Sequence, residues 1–156
     1  MTQERPRRQR RPRTPDAPTE QIVIDFAVLG DFAQAVAGKL TVVGAGWNIV
    51  NAVQYPMVIP FGLGLGFLVP WHETNRQQQF TFAIRSSEGP ELASGSGDFE
   101  VGRQTGLPVG MTQRVVVGLA GQIQIPGPGP YEITVSCAGR EKQIVFQALP
   151  VGLQLR

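Results

Sequence analysis

An all-β fold is what this sequence predicts: a mostly antiparallel two-sheet β-sandwich of about seven to nine strands, preceded by a disordered N-terminal arm. Three observations predict it. Between Met57 and Trp71 every odd position is large and apolar. Shorter runs with the same period of two recur along the chain, separated by Gly- and Pro-rich turns. Residues 1–19 carry no large apolar side chain after Met1, which separates them from everything that follows.

The arm comes first. It holds four prolines and six arginines, Arg5, Arg7, Arg8, Arg10, Arg11 and Arg13, against Glu4 and Asp16, for a net charge of +4. Such a segment cannot bury enough surface to offset the entropy of ordering it. It is expected to be disordered, and its arginines suit an anionic partner, nucleic acid included, through salt-sensitive phosphate contacts. Residues 20–156 are expected to form the folded domain; from Gln21 onward the pattern becomes that of half-buried strands.

Ile22, Ile24, Phe26 and Val28 share one phase and form the first strand. Asp25 then falls on the opposite face, either exposed or accepting from a backbone or arginine donor. Leu40 and Val42 begin a second strand, with Ala37-Gly38 as the tight turn before it, because glycine supplies the positive φ that hairpin turns require. The longest strand follows, with Met57, Ile59, Phe61, Leu63, Leu65, Phe67, Val69 and Trp71 on one face. A helix would scatter these around its circumference. The even face reads Val58, Pro60, Gly62, Gly64, Gly66, Leu68, Pro70, so its centre has no side chains. Proline lacks the ladder donor, which predicts an interruption of pairing near Pro60 and a stop near Pro70. The bare glycine stripe has two readings: a neighbouring aromatic or backbone packs on it, or it receives a ligand or partner chain.

Phe80, Phe82 and Ile84 make the next strand, then Phe99 and Val101, then Val115, Val117 and Leu119. The last pair is Tyr131, Ile133, Val135, Cys137 and, after a turn around Ala138 to Lys142, Ile144, Phe146, Ala148. Gly127-Pro128-Gly129-Pro130 is a stiff turn leading into that hairpin.

Composition narrows the chemistry. Cys137 is the only cysteine, which excludes a disulfide within the chain and any multi-cysteine metal site. No apolar segment of signal-peptide length follows the arginines, and the apolar stretch 56–71 is too short and too glycine-broken to span a bilayer as a helix. A cytoplasmic protein that does not enter the membrane is expected. His72 is the only histidine, so a nucleophile would have a single possible imidazole base. Asp25, Asp31, Glu73, Asp98 and Glu100 are scattered, and Asp98 and Glu100 read as a solvated stripe. Gly44-Ala45-Gly46 lacks the third glycine and the following helix of a dinucleotide loop, and no phosphate-loop lysine occurs. No catalytic residue, metal or cofactor is therefore assigned.

The densest polar cluster of the body is Pro70-Trp71-His72-Glu73-Thr74-Asn75-Arg76. Either Trp71 closes one end of the core while its polar neighbours satisfy backbone groups at a bend, or the cluster is a small binding site. The candidate ligand or partner surface is accordingly Gly62, Gly64 and Gly66 with Trp71, His72, Glu73, Asn75 and Arg76.

At Asp31-Phe32-Ala33-Gln34, Gly38-Lys39-Leu40, Gly44-Ala45-Gly46-Trp47, Pro70-Trp71-His72-Glu73-Thr74-Asn75-Arg76 and Phe99-Glu100-Val101-Gly102-Arg103, the chain resembles a family of small uncharacterised bacterial proteins, a domain of unknown function. The resemblance spans most of residues 22–149 and leaves the arm outside. It implies the β fold and transfers no activity and no site residue. The function expected is a non-enzymatic protein-interaction or assembly module, meeting a protein partner or a second copy of itself. One alternative is a small-ligand or carbohydrate binder using Trp47, Trp71 or Tyr55; another is an accessory protein tethered to nucleic acid by the arm.

Overall fold

The structure, a computed structural model, describes residues 21–151. The arm of residues 1–19, with its expected disorder and its six arginines, lies outside the described residues. Ten strands and one 3-10 turn run in the order β1 (Val23–Gly30), β2 (Phe32–Val36), β3 (Lys39–Val43), β4 (Ile49–Ala52), β5 (Met57–Val69), the turn Trp71–Glu73, β6 (Gln77–Ser86), β7 (Glu91–Glu100), β8 (Gln113–Ile125), β9 (Gly129–Cys137) and β10 (Arg140–Pro150). No described helix is long and apolar enough to cross a membrane.

The strands form a three-stranded sheet β1-β5-β8, a five-stranded sheet β4-β10-β9-β6-β7 and the β2-β3 hairpin. All ladders are antiparallel except β10–β4. The all-β class and the antiparallel pairing agree with the sequence reading. The described strands number ten, in three sheets, because Phe32–Val36 and Lys39–Val43 close on each other as a separate hairpin. Its turn is Ala37-Gly38, with φ of 49° and 72°, and Ala138-Gly139, at 51° and 73°, makes the equivalent turn between β9 and β10. Positive φ at both positions matches the right-handed twist of the strands it joins.

β5 organises the core. Ile59, Phe61, Leu63, Leu65, Phe67 and Val69 are all buried, with Leu63, Leu65, Phe67 and Val69 fully so. They meet the five-stranded sheet through aromatic contacts: Phe67 stacks on Phe99 at 4.8 Å and lies 5.5 Å from Phe80, while Phe61 lies 6.4 Å from Phe82. Each such side chain taken out of water contributes roughly 1.5–3 kcal/mol. The ladder to β8 runs unbroken from Met57↔Ile125 to Val69↔Gln113, through Pro60. Pairing with β1 extends only from Leu68 back to Gly62. The interruption expected near Pro60 thus falls on the β1 side alone, and the strand ends at Val69, immediately before Pro70.

The phase assigned to the first strand needs correction. Ile24 lies opposite Phe67 and Phe26 opposite Gly66, so Asp25 is an extra residue, a β-bulge. The bulge turns the strand over. Ile22 and Ile24 enter the core before it; after it Leu29 does, with Ala27 packed alongside, while Phe26 faces the other way. The bulge is held on both its polar groups: the Asp25 carboxylate accepts from Arg114 Nη2 at 2.5 Å and its carbonyl from Lys142 Nζ at 3.1 Å.

Candidate functional site

The polar cluster after β5 is built around one carbonyl. Proline at position 70 ends the ladder, and the chain makes a single 3-10 turn in which Glu73 N donates to Pro70 O at 3.0 Å. The Trp71 carbonyl then accepts from Thr74 N at 3.3 Å, from Thr74 Oγ1 at 2.6 Å and from Arg103 Nη2 at 2.9 Å. Arg103 also donates from Nε to Thr74 Oγ1 at 2.7 Å, and its guanidinium lies 4.4 Å above the centre of the Trp71 ring. Asn75, at φ 58°, donates its amide to Val101 O at 2.7 Å, which fastens the turn to the segment leaving β7.

The exposed His72 and Arg76 flank the half-buried Glu73 at the rim of this corner. His72 Nε2 stands 3.6 Å from Glu73 Oε1, Arg76 Nη1 3.8 Å from Glu73 Oε2, and Gln78 Nε2 donates to Glu73 Oε2 at 3.3 Å. The first two distances exceed a hydrogen bond, and the His72 and Arg76 side chains are well exposed. Thr74 and Arg103, which hold the corner together, lay outside the predicted site. Arg103 is 32 residues from Trp71 along the chain, and nothing local marks the pairing.

The glycine stripe takes the first of its two expected forms. Gly62, Gly64 and Gly66 are buried. The Phe32–Ala33 backbone packs on Gly62, Leu40 and Val42 on Gly64, and the Phe26 ring on Gly66; on the neighbouring strand Gly118 meets the backbone of Gln34. The flat face is the seat of the chain's own β2–β3 hairpin. It does not join the Trp71–Arg76 rim as one exposed surface, which corrects the grouping expected from sequence.

The aromatic residues expected to face a ligand are half-buried and already engaged. Trp47 Nε1 donates to Asp31 Oδ1 at 3.1 Å and its ring meets Phe146 edge-on at 5.6 Å; Tyr55 OH donates to Leu149 O at 2.8 Å; Trp71 lies beneath Arg103. A depression of about 500 Å³ lies elsewhere, over Ala83 on the outer face of the five-stranded sheet. Thr81, Ser94, Ser96, Thr134 and Ser136 surround it with hydroxyls. Among the described residues, no three His, Cys, Asp or Glu side chains gather where they could share a metal ion.

The sheet edges differ in how they are protected. Native proteins guard an edge with shortness, charge, proline or a bulge. β4 has four residues, β7 carries Glu91, Asp98 and Glu100, and β1 has the Asp25 bulge. β8 has none of these. It is 13 residues long, pairs with β5 alone among the described strands, keeps its register throughout, and contains Arg114 as its single charge and no proline. Its core-facing Val115, Val117 and Leu119 are only partly buried, although Phe67, Leu65 and Leu63 opposite them on β5 are fully buried.

A family model described as a family of unknown function (DUF6941) matches residues 25–147, well over half of the chain. The chain belongs to this family. Among curated proteins no relative matches it. The matched DUF6941 segment includes the Asp25 bulge, the hairpin seated on the glycines, the Trp71 corner and the whole of β8.

Proposed function

We propose that this DUF6941 chain is a non-enzymatic interaction or assembly module that adds a strand of another polypeptide to the open edge of β8. The observation that carries this reading is the contrast between β8 and the other edges: 13 residues of unbroken strand, one charge, no proline and no bulge. An added strand would receive main-chain hydrogen bonds along the edge, and its alternate side chains would complete the cover of the partly buried Val115, Val117 and Leu119. The three- and five-stranded sheets that share the core are read as the two layers of a sandwich, with the hairpin covering the outer side of the smaller one. The single, buried, unpaired Cys137 fits a reducing, cytoplasmic setting.

Site-specific photo-crosslinking in the native host tests the reading. A crosslinker at the exposed Gln122 on β8 should give a protein adduct, and one at the exposed Gln79 on β6 should not. No adduct at Gln122, or equal adducts at both positions, would overturn it.

The depression over Ala83 favours a second reading, a binder of small polar or saccharide ligands. Its hydroxyls can donate and accept, as sugar recognition requires. Calorimetric titration against a saccharide panel, with Thr134→Val as the control, checks it; heats unchanged by the substitution would remove it.

A further inference from the structure

We infer that the strand β8 pairs with is β8 of a second copy, running antiparallel about a two-fold axis at Leu119. This rests on the interaction reading above and names its partner. In an isologous contact residue i meets j and j meets i, so a strand can pair with itself only if its pattern tolerates reversal. The centre of Gln113–Ile125 is Leu119, and full overlap of the strand with its own reverse sets Leu119 opposite Leu119.

On the core-facing side Val117 then meets Gly121 and Val115 meets Ile123, so apolar residues continue the core across the junction. On the other side Gly118 meets Ala120, Val116 meets Gln122 and Arg114 meets Gln124. The only charge on the strand never meets its own copy: the two Arg114 side chains lie ten positions apart, roughly 34 Å along the strand. Like charges placed directly opposite would oppose such pairing, and here there are none. The product is a continuous six-stranded sheet, β1-β5-β8 followed by its two-fold image.

The chain's own N-terminal arm is the competing occupant, and its sequence is unsuited to it. Pro6, Pro12, Pro15 and Pro18 recur too closely for a continuous run of ladder donors, and after Met1 the arm has no large apolar side chain to cover Val115, Val117 and Leu119.

Cysteine crosslinking of the full chain tests the inference against a clean background, since the native Cys137 is buried. At the two-fold axis the Leu119→Cys side chains of the two copies would stand about 4.5–5.5 Å apart at Cβ, close to the reach of a disulfide. Under mild oxidation Leu119→Cys should move from the 16.9 kDa band to twice that mass on a non-reducing gel. Gln124→Cys, whose copies lie as far apart as the two Arg114 residues, should stay at the monomer band. Sedimentation of the unmodified chain should show a concentration-dependent dimer, which keeps the test valid if Leu119→Cys unfolds. A monomer at every concentration overturns the inference, as does a dimer that crosslinks equally at both positions. A heterologous adduct at Gln122 with a monomeric purified chain would sink the self-pairing and leave the interaction reading standing. The absence of any adduct would sink both.

Discussion

Phe26 lies directly opposite Gly66 across β1 and β5, and its ring fills the place that a side chain at position 66 would occupy. The same arrangement recurs in the ladders at Phe61 and Gly121, Phe80 and Gly97, and Phe82 and Gly95. An aromatic ring laid over a cross-strand glycine covers backbone that would otherwise be bare, so each glycine acts as half of a packing pair.

Glycine-to-alanine substitutions should therefore rank by what the new methyl group meets. Gly62→Ala drives into the Phe32–Ala33 backbone, which cannot swing aside, whereas Gly66→Ala meets the edge of a ring that can. The expected losses are about 3 kcal/mol for Gly62→Ala and about 1–2 kcal/mol for Gly66→Ala. Gly127→Ala, with open space around it, should stay within about 0.5 kcal/mol of the parent. Urea denaturation of the three variants measures the order, and equal midpoints for the first two would refute the backbone argument.

Arg103 should matter more to stability than any residue on the exposed rim of the Trp71 corner. Arg103→Ala removes two hydrogen bonds and the stacking on Trp71, beside the buried Thr74. A loss of about 1–3 kcal/mol is expected. Arg103→Lys should recover less than half of it, because an ammonium cannot reach Thr74 Oγ1 and the Trp71 carbonyl in one planar fork. His72→Ala should be nearly silent. Thermal melts in which His72→Ala costs as much as Arg103→Ala would show that the rim, not the carbonyl clamp, holds the turn.

The strands were legible where their period of two ran unbroken, as in β5, β6, β8 and β9. Legibility failed at Asp25, where one extra residue inverts the phase: a bulge adds no distinctive composition, and Asp25 reads equally well as an outward residue of a regular strand. The glycine stripe was visible, but not its occupant. The β2–β3 hairpin returns to it from 20 or more positions upstream, and its contacts at Gly62 and Gly118 are with backbone, which no side-chain pattern announces. Thr74 and Arg103 escaped for a related reason, since a clamp on a carbonyl joins segments 29 residues apart. The open edge of β8 could be read only once the sheet order was known.

Asp25 and Arg114 should show a modest, salt-sensitive coupling. Both side chains are partly exposed, 29% and 55%, so the pair is screened by water and ions. A double-mutant cycle of Asp25→Ala with Arg114→Ala should give about 0.5–1 kcal/mol at low salt and less at molar salt. Coupling that is zero at low salt would mean that the Lys142 contact to the Asp25 carbonyl holds the bulge unaided.

Cys137 sits opposite Phe80 on β6, and burial pushes its thiol above the ordinary range. The folded chain therefore holds this proton more tightly than the unfolded chain, whose thiol ionises at roughly 8.5. The preference for the neutral thiol is fully present below that value and is lost as pH rises through the raised folded value. Stability should consequently fall more steeply on the alkaline side in the parent than in Cys137→Ala, with the two curves parallel at neutral pH. Denaturant midpoints measured across the alkaline range check this, and parallel curves throughout would contradict it. Alkylation gives an independent readout: the native thiol should resist iodoacetamide at neutral pH and react once the chain is unfolded, whereas rapid native labelling would place the sulfur at the surface.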